Sequence, residues 1–237
     1  MIPLKDENPV QITPYITYIL IAVNILAFGY ELSLNPQQLE AFLHVFAIVP
    51  RELTASLSGI PSQQAVPEVM TLISSQFLHA GFAHIGFNML FLYIFGNNIE
   101  EQLGRLKYLC FYLICGVLAG LAQWYFSEMS NIPSLGASGA IAGVMGAYIL
   151  KFPRAKIVTI IPLGFFFPLF RIPALYFLGF WFLEQAFNGI ASFEVQASVG
   201  MASGGVAYWA HIGGFIFGVI LGPVLGLFSE DTQKSIT

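Results

Sequence analysis

The chain has 237 residues, 57% of them hydrophobic and only 9% charged, with a mean hydropathy of +0.75. A soluble domain cannot hide that much apolar surface, so the composition excludes one and points to a polytopic, all-α membrane protein. The net charge of −4 argues against a nucleic-acid partner.

Residues 1–12 are polar and read as a short cytoplasmic tail. No small-residue cleavage site follows, so the first apolar stretch is a retained span and not a signal peptide. Each span needs about 20 apolar residues, because lipid satisfies no backbone polar group. Six such stretches fall between residues 13 and 228: Pro14–Tyr30, Phe77–Asn97, Tyr108–Phe126, Gly136–Leu150, Pro173–Phe187 and Ala207–Leu227. Residues 31–70 form a long loop, whose middle (Leu39 to Val49) reads as an interfacial helix. A polar turn is expected over Asn98–Lys107, and a β-hairpin or interfacial segment over Ile157–Phe170, turning at Pro162-Leu163-Gly164. Residues 188–205 are rich in Gly, Ser and Ala and read as a mobile connection; 229–237 read as a second cytoplasmic tail. Cys110 and Cys115 share one apolar run and read as packing residues.

Positive charge sets the orientation. With six spans, the even connections and both termini share one side. Lys5, Arg105, Lys107, Lys151, Arg154, Lys156, Arg171 and Lys234 fall on it, and only Arg51 on the other. Both termini are therefore expected to be cytoplasmic.

Ionisable residues inside spans are costly and mark function by default. His79, His84 and Asn88 belong to the second span, with His84 and Asn88 on one face. His211 belongs to the sixth. Ser138 stands in the first turn of the fourth, in Gly136-Ala137-Ser138-Gly139, where free backbone N–H groups cluster. At 1.5 Å per residue, Ser138 lies about 20 Å above the cytoplasmic surface of a ~30 Å core, and His84 about 24 Å above it. His211 has a similar height. Packing residues on three separate helices need not share one layer. Gly139 and Gly143, and Gly214, Gly218 and Gly222, repeat every four residues, which lets the fourth and sixth spans pack backbone to backbone. That packing could bring His211 to Ser138 as the general base of a nucleophilic hydroxyl. His84, Asn88 and the Ser138 N–H would supply an oxyanion hole, where one donor is worth roughly 3 kcal/mol. No acidic residue at this depth offers a third member; Glu184 is the nearest in sequence and reads as the outer end of the fifth span. His79 and His84 lack a thiol or carboxylate at ligand spacing, so no metal or cofactor is expected.

With these residues in place, the chain resembles the rhomboid family of intramembrane serine proteases. The resemblance rests on His79-x4-His84-x3-Asn88, Gly96-x3-Glu100-x3-Gly104, Gly136-x-Ser138-Gly139-x6-Gly146 and Ala210-His211-x2-Gly214-x3-Gly218. It implies a six-helix rhomboid-like bundle, Ser138 as nucleophile, His211 as base, and His84 and Asn88 as oxyanion donors. Gly136, Gly139, Gly214 and Gly218 are supporting positions. Phe177 and Trp181 are gate residues by position, with the 188–205 loop as a cap over substrate entry. Glu100 reads as structural, ordering the turn between the second and third spans. One departure matters. Some members carry an aromatic ring four residues after the serine, against the histidine; this chain has Ala142, which leaves Trp209 or Tyr208 to orient His211.

The function so implied is hydrolysis of peptide bonds in or beside the membrane helix of single-span substrates, near the outer face. A compact core without organelle-like targeting suggests a bacterial or archaeal plasma membrane. A non-catalytic relative binding transmembrane clients is the alternative, against which the intact Ser138 and His211 speak. A transporter would require internal repeats and polar residues through the full depth, and the sequence has neither.

Overall fold

A computed structural model describes residues 1–62, 64–199 and 206–229. Its elements run in chain order as β1 (Ile2–Asp6), α1 (Tyr15–Ser33), α2 (Pro36–Phe46), α3 (Pro50–Leu57) and α4 (Glu68–Ser74). After a 3₁₀ turn (Ser75–Phe77) come α5 (Phe82–Leu103), α6 (Arg105–Tyr125), α7 (Ser138–Lys151), β2 (Lys156–Ile160), β3 (Leu169–Pro173), α8 (Ala174–Val199) and α9 (Tyr208–Val224). Helices α1 and α6 are each long and apolar enough to cross a bilayer. The segment Glu68–Phe77 with α5 also qualifies, as a span bent by 81°, while α7 and α9 are apolar but shorter. This is a mostly helical, multi-pass membrane protein.

Helix α7 is the axis of the bundle. Every residue from Gly139 to Tyr148 is buried, and α5, α6, α8 and α9 surround it. Its tightest partner is α9. A Cβ on Gly214 would strike the Gly139 carbonyl, one on Gly218 the Gly143 backbone, and one on Gly146 the Phe215 carbonyl. Only glycine allows two backbones to come so near. Fourteen residues make α7 about 20 Å long, shorter than a ~30 Å hydrocarbon core.

The termini of α1 and α5 are joined by a single carboxylate. Pro14 provides no side-chain cap to α1. Glu100, fully buried on α5, takes the N–H groups of Ile16 (2.9 Å) and Thr17 (2.8 Å) instead. This satisfies orphan donors and places negative charge at the positive end of the helix dipole.

The architecture departs from the sequence reading in five places. The protein is not all-α, because residues 157–170 do form a hairpin but β1 joins it, giving an antiparallel sheet in the order β1-β2-β3. The stretch 1–12 is therefore not a plain tail: alternation in Ile2-Pro3-Leu4-Lys5-Asp6 is weak, and its partner lies in β2, so nothing local announced a strand. No polar turn spans 98–107. Helix α5 runs through it to Leu103, and Gly104 alone (φ +76°) breaks the chain before α6. Glu100 accordingly caps α1 and does not order a turn. Helix α5 begins at Phe82, which leaves His79 in the bend before it. Finally, α8 continues past Phe187 to Val199, into the stretch expected as a connection; residues 200–205 of that expected cap lie outside the described residues.

The long first loop holds three helices. Asn35 starts α2 with a capping box, accepting from the Gln38 N–H while Gln38 accepts from the Asn35 N–H. The loop then clamps the segment before α7. Ile48 and Ser134 exchange both backbone hydrogen bonds, at 3.0 and 2.7 Å, and Arg51 donates to the Ser130 carbonyl. This fixes the approach of the chain to Ser138.

Candidate active site

Ser138 is the first residue of α7. The first intrahelical bond runs from the Ile141 N–H to the Ala137 carbonyl, so the N–H groups of Ser138, Gly139 and Ala140 have no acceptor within the helix. Gly136, two residues earlier, has φ +126°, a conformation that side chains rarely adopt. Its N–H bonds to the Ser75 carbonyl at 2.8 Å.

His211 lies in the first turn of α9, one turn before Gly214. Close α7–α9 packing sets the height, and the Ala210 N–H donates to Gln123 Oε1 of α6 at 3.3 Å. The result is a 2.8 Å hydrogen bond between Ser138 Oγ and His211 Nε2. On its other side, His211 Nδ1 is 2.8 Å from Gln185 Oε1 on α8. Trp181, one turn before Gln185, places its ring 5.6 Å from the His211 ring.

His84 stands in the first turn of α5. Its Nδ1 accepts the Ala80 N–H at 3.3 Å, so in the neutral ring Nε2 carries the proton. The Cε1–Nε2 edge fills the space where a Gly136 side chain would be, on the Ser138 side. Asn88, one turn on and on the same face, is buried, and its Nδ2 has no partner among the described residues. Both present donors without a committed acceptor among the described residues, and His84 lies beside the N-terminus of α7. His79 supports them from behind: its ring meets the His84 ring edge-on at 5.1 Å, and its N–H rests on the Glu31 carboxylate of α1. A cavity of about 20 Å³, room for about one water, is lined by Ser138, Gly136, Gly139, Ala210, Ser75 and Gln76 among others.

Two expectations are revised here. Trp209 does not orient His211: it stacks on Phe126, just past the end of α6, at 3.9 Å. Tyr208 opens α9 and is not the ring partner either, since the residues against His211 come from α8. Glu184 is exposed; the polar group facing the dyad is its neighbour Gln185. Sequence did hold a signal for it. Phe177, Trp181 and Gln185 are four apart, so they share one helical face, and an amide on that otherwise apolar face needs a partner. Of the two expected gate residues, Phe177 is buried against Phe95 of α5 and Trp181 is only part-buried. Among the described residues, no three His, Cys, Asp or Glu side chains converge as a metal set.

An apolar bundle with a serine hydroxyl paired to a histidine at the N-terminus of its central helix defines a class of membrane protein. The rhomboid-domain family model matches residues 66–228, and the chain belongs to the rhomboid family. It is similar to "Rhomboid protein 1, mitochondrial" of Saccharomyces cerevisiae, 28% identical over 224 residues, covering 92% of this chain and 56% of that protein. It is also similar to "Rhomboid protease GluP" of Bacillus subtilis, 28% identical over 214 residues, covering 90% of this chain and 35% of the relative. "Rhomboid protease AarA" of Providencia stuartii is 31% identical over 160 residues, covering 62% and 52%. The chain thus spans about half or less of the length of these curated relatives.

Proposed function

We propose that this protein is a six-span intramembrane serine endopeptidase that cuts single-span membrane proteins in or next to their transmembrane helix. The observation that carries this reading is the 2.8 Å bond between Ser138 Oγ and His211 Nε2 at the N-terminus of the central helix. Ser138 Oγ attacks the scissile carbonyl carbon while its proton passes to His211 Nε2. The carbonyl oxygen becomes an oxyanion, received by His84 Nε2–H, Asn88 Nδ2–H and the Ser138 N–H. His211 then gives the proton to the leaving amine, and an acyl-enzyme remains on Ser138. Water attacks that ester, passing a proton to His211, which returns it to Ser138 Oγ as the acid product leaves.

Position supports an intramembrane cut. As the fourth span, α7 is shorter than the hydrocarbon core, which favours a hydroxyl at its outer end lying below the outer surface. A stable helix shields its carbonyls, so substrates should carry Gly, Pro or small residues at the cleavage point. The sheet that holds β1 against β2 keeps the N-terminus on the side of the α7–β2 connection, in keeping with a cytoplasmic N-terminus. A bacterial or archaeal plasma membrane is the proposed location. Relatives named as mitochondrial make localisation of a tagged full chain the direct test of that point.

The function is tested with full chain in proteoliposomes holding a single-span substrate, beside Ser138→Ala and His211→Ala. Cleavage by wild type alone is expected. Tight co-purification of the substrate without a cut, and without fluorophosphonate labelling of Ser138, would replace the protease by a client-binding protein.

A further inference from the structure

The residue that holds the base in its working form sits on the helix beside the dyad. We infer that Gln185 of α8 is a positioning residue that sets the His211 tautomer; the inference rests on the proteolytic reading of Ser138 and His211 above. A neutral imidazole has one N–H and one lone pair. To take the Ser138 proton, Nε2 must hold the lone pair, and Nδ1 must then carry the proton. A carbonyl oxygen only accepts. Gln185 Oε1, 2.8 Å from Nδ1, therefore selects the Nδ1–H tautomer and leaves Nε2 facing Ser138 Oγ, also at 2.8 Å.

Three further observations support the assignment. Gln185 is 7% exposed, so its amide has little access to water as an alternative partner. A buried amide in an apolar helix costs free energy unless bonded, which gives the contact a reason to persist. Trp181, one turn earlier on the same face, limits rotation of the imidazole from the side. The opposite amide orientation would present an NH₂ to the ring, force the proton onto Nε2 and silence the base. No proton moves to Gln185 at any stage. When His211 takes the serine proton, both ring nitrogens carry hydrogen, and the Gln185 carbonyl dipole faces the resulting positive charge. Nothing acidic is required. Among the described residues, the other titratable group beside the dyad is His84 of α5, with His79 behind it.

The experiment uses wild type, Gln185→Met and Gln185→Glu as purified full chains. Two readouts are taken: ¹⁵N NMR of the His211 ring, and the rate of fluorophosphonate labelling of Ser138 from pH 5 to pH 9. Wild type is expected in the Nδ1–H tautomer. Gln185→Met keeps length without an acceptor; it should give a mixed tautomer and labelling about 10- to 100-fold slower, with an unchanged midpoint of thermal unfolding. Gln185→Glu can only accept and adds a negative charge beside the imidazolium, so the acidic limb of its pH–rate profile should move to higher pH by about one unit or more. A single Nδ1–H tautomer in Gln185→Met, or an unmoved acidic limb in Gln185→Glu, overturns the inference. If Gln185→Met unfolds, the Gln185→Glu profile still decides. The NMR readout needs no turnover, so a wild type that holds the Nδ1–H tautomer yet neither labels nor cleaves refutes the protease reading and leaves the positioning of His211 standing.

Discussion

Glu100 Oε2 receives both the N–H and the hydroxyl of Thr17, each at 2.8 Å, across 83 positions of sequence. One carboxylate on α5 thereby takes the place of a missing cap on α1. Hydrogen bonds to a charged group contribute about 1.5–3 kcal/mol each, and leaving buried donors unpaired costs a similar amount. Glu100→Ala is expected to destabilise the protein by on the order of 3 kcal/mol. Thr17→Val, which loses only the hydroxyl, should cost about 1 kcal/mol. Thermal unfolding in detergent measures both; equal effects for the two variants would refute the capping role.

The glycines of α9 are not equivalent. A Cβ at Gly218 meets the Gly143 backbone, which cannot move without separating α7 from α9. A Cβ at Gly222 meets the Leu227 side chain at 3.1 Å and Ala147 Cβ at 3.2 Å, contacts that small adjustments relieve. Gly218→Ala should therefore lose about 1–3 kcal/mol of stability, together with the Ser138–His211 contact, and Gly222→Ala much less. Paired unfolding and fluorophosphonate labelling distinguish them.

If His84 and Asn88 receive the oxyanion, removing either donor affects the reaction and not the fold. His84→Ala and Asn88→Ala are each expected to slow substrate cleavage about 10²- to 10³-fold. Unfolding midpoints should hold near wild type. A loss of activity that tracks a loss of stability would make the two residues structural.

Asp6 offers a pH test away from the site. Burial pushes its carboxyl above the usual carboxylate range, against hydrogen bonds from Tyr148, its own backbone and Asn98 that pull it down. The folded state thus disfavours the ionised form. Stability from this group is fully present below the unfolded value, about 4, and is lost as pH rises through the higher folded value. An amide keeps an acceptor for Tyr148 (2.6 Å) and carries no charge to desolvate. Asp6→Asn should flatten the loss of stability that begins as pH rises above about 4, with no loss of midpoint at pH 7. A steeper dependence in the variant would refute this account.

The apolar helices and the meeting of Ser138 with His211 were legible because membrane rules are strong: apolar length and the cost of buried polar groups act along the local sequence. The small-residue repeats of α7 and α9 also announced their own contact. What escaped depended on partners distant in the chain. The strand at Ile2–Asp6 is defined by β2, the cap of α1 by Glu100, and the orientation of His211 by Gln185. Ala142 shows why. Its small side chain lies under Gly214 and gives the histidine no support from α7, while Trp209 on the histidine's own helix is only two residues away in sequence. The support came from a third helix, where a lone amide among aromatic residues was the only trace.

The clasp of β1 on β2 also constrains how the protein is made. Asp6 cannot meet Tyr148, 142 positions away, until α7 has left the ribosome and been inserted. The first strand must therefore wait, unpaired, through the synthesis of most of the chain. Such a long-range closure is slow to form and late to reward. Its completion would report that the helices between the two ends have reached their places, and a chain stalled before β2 would betray itself by a protease-sensitive N-terminus.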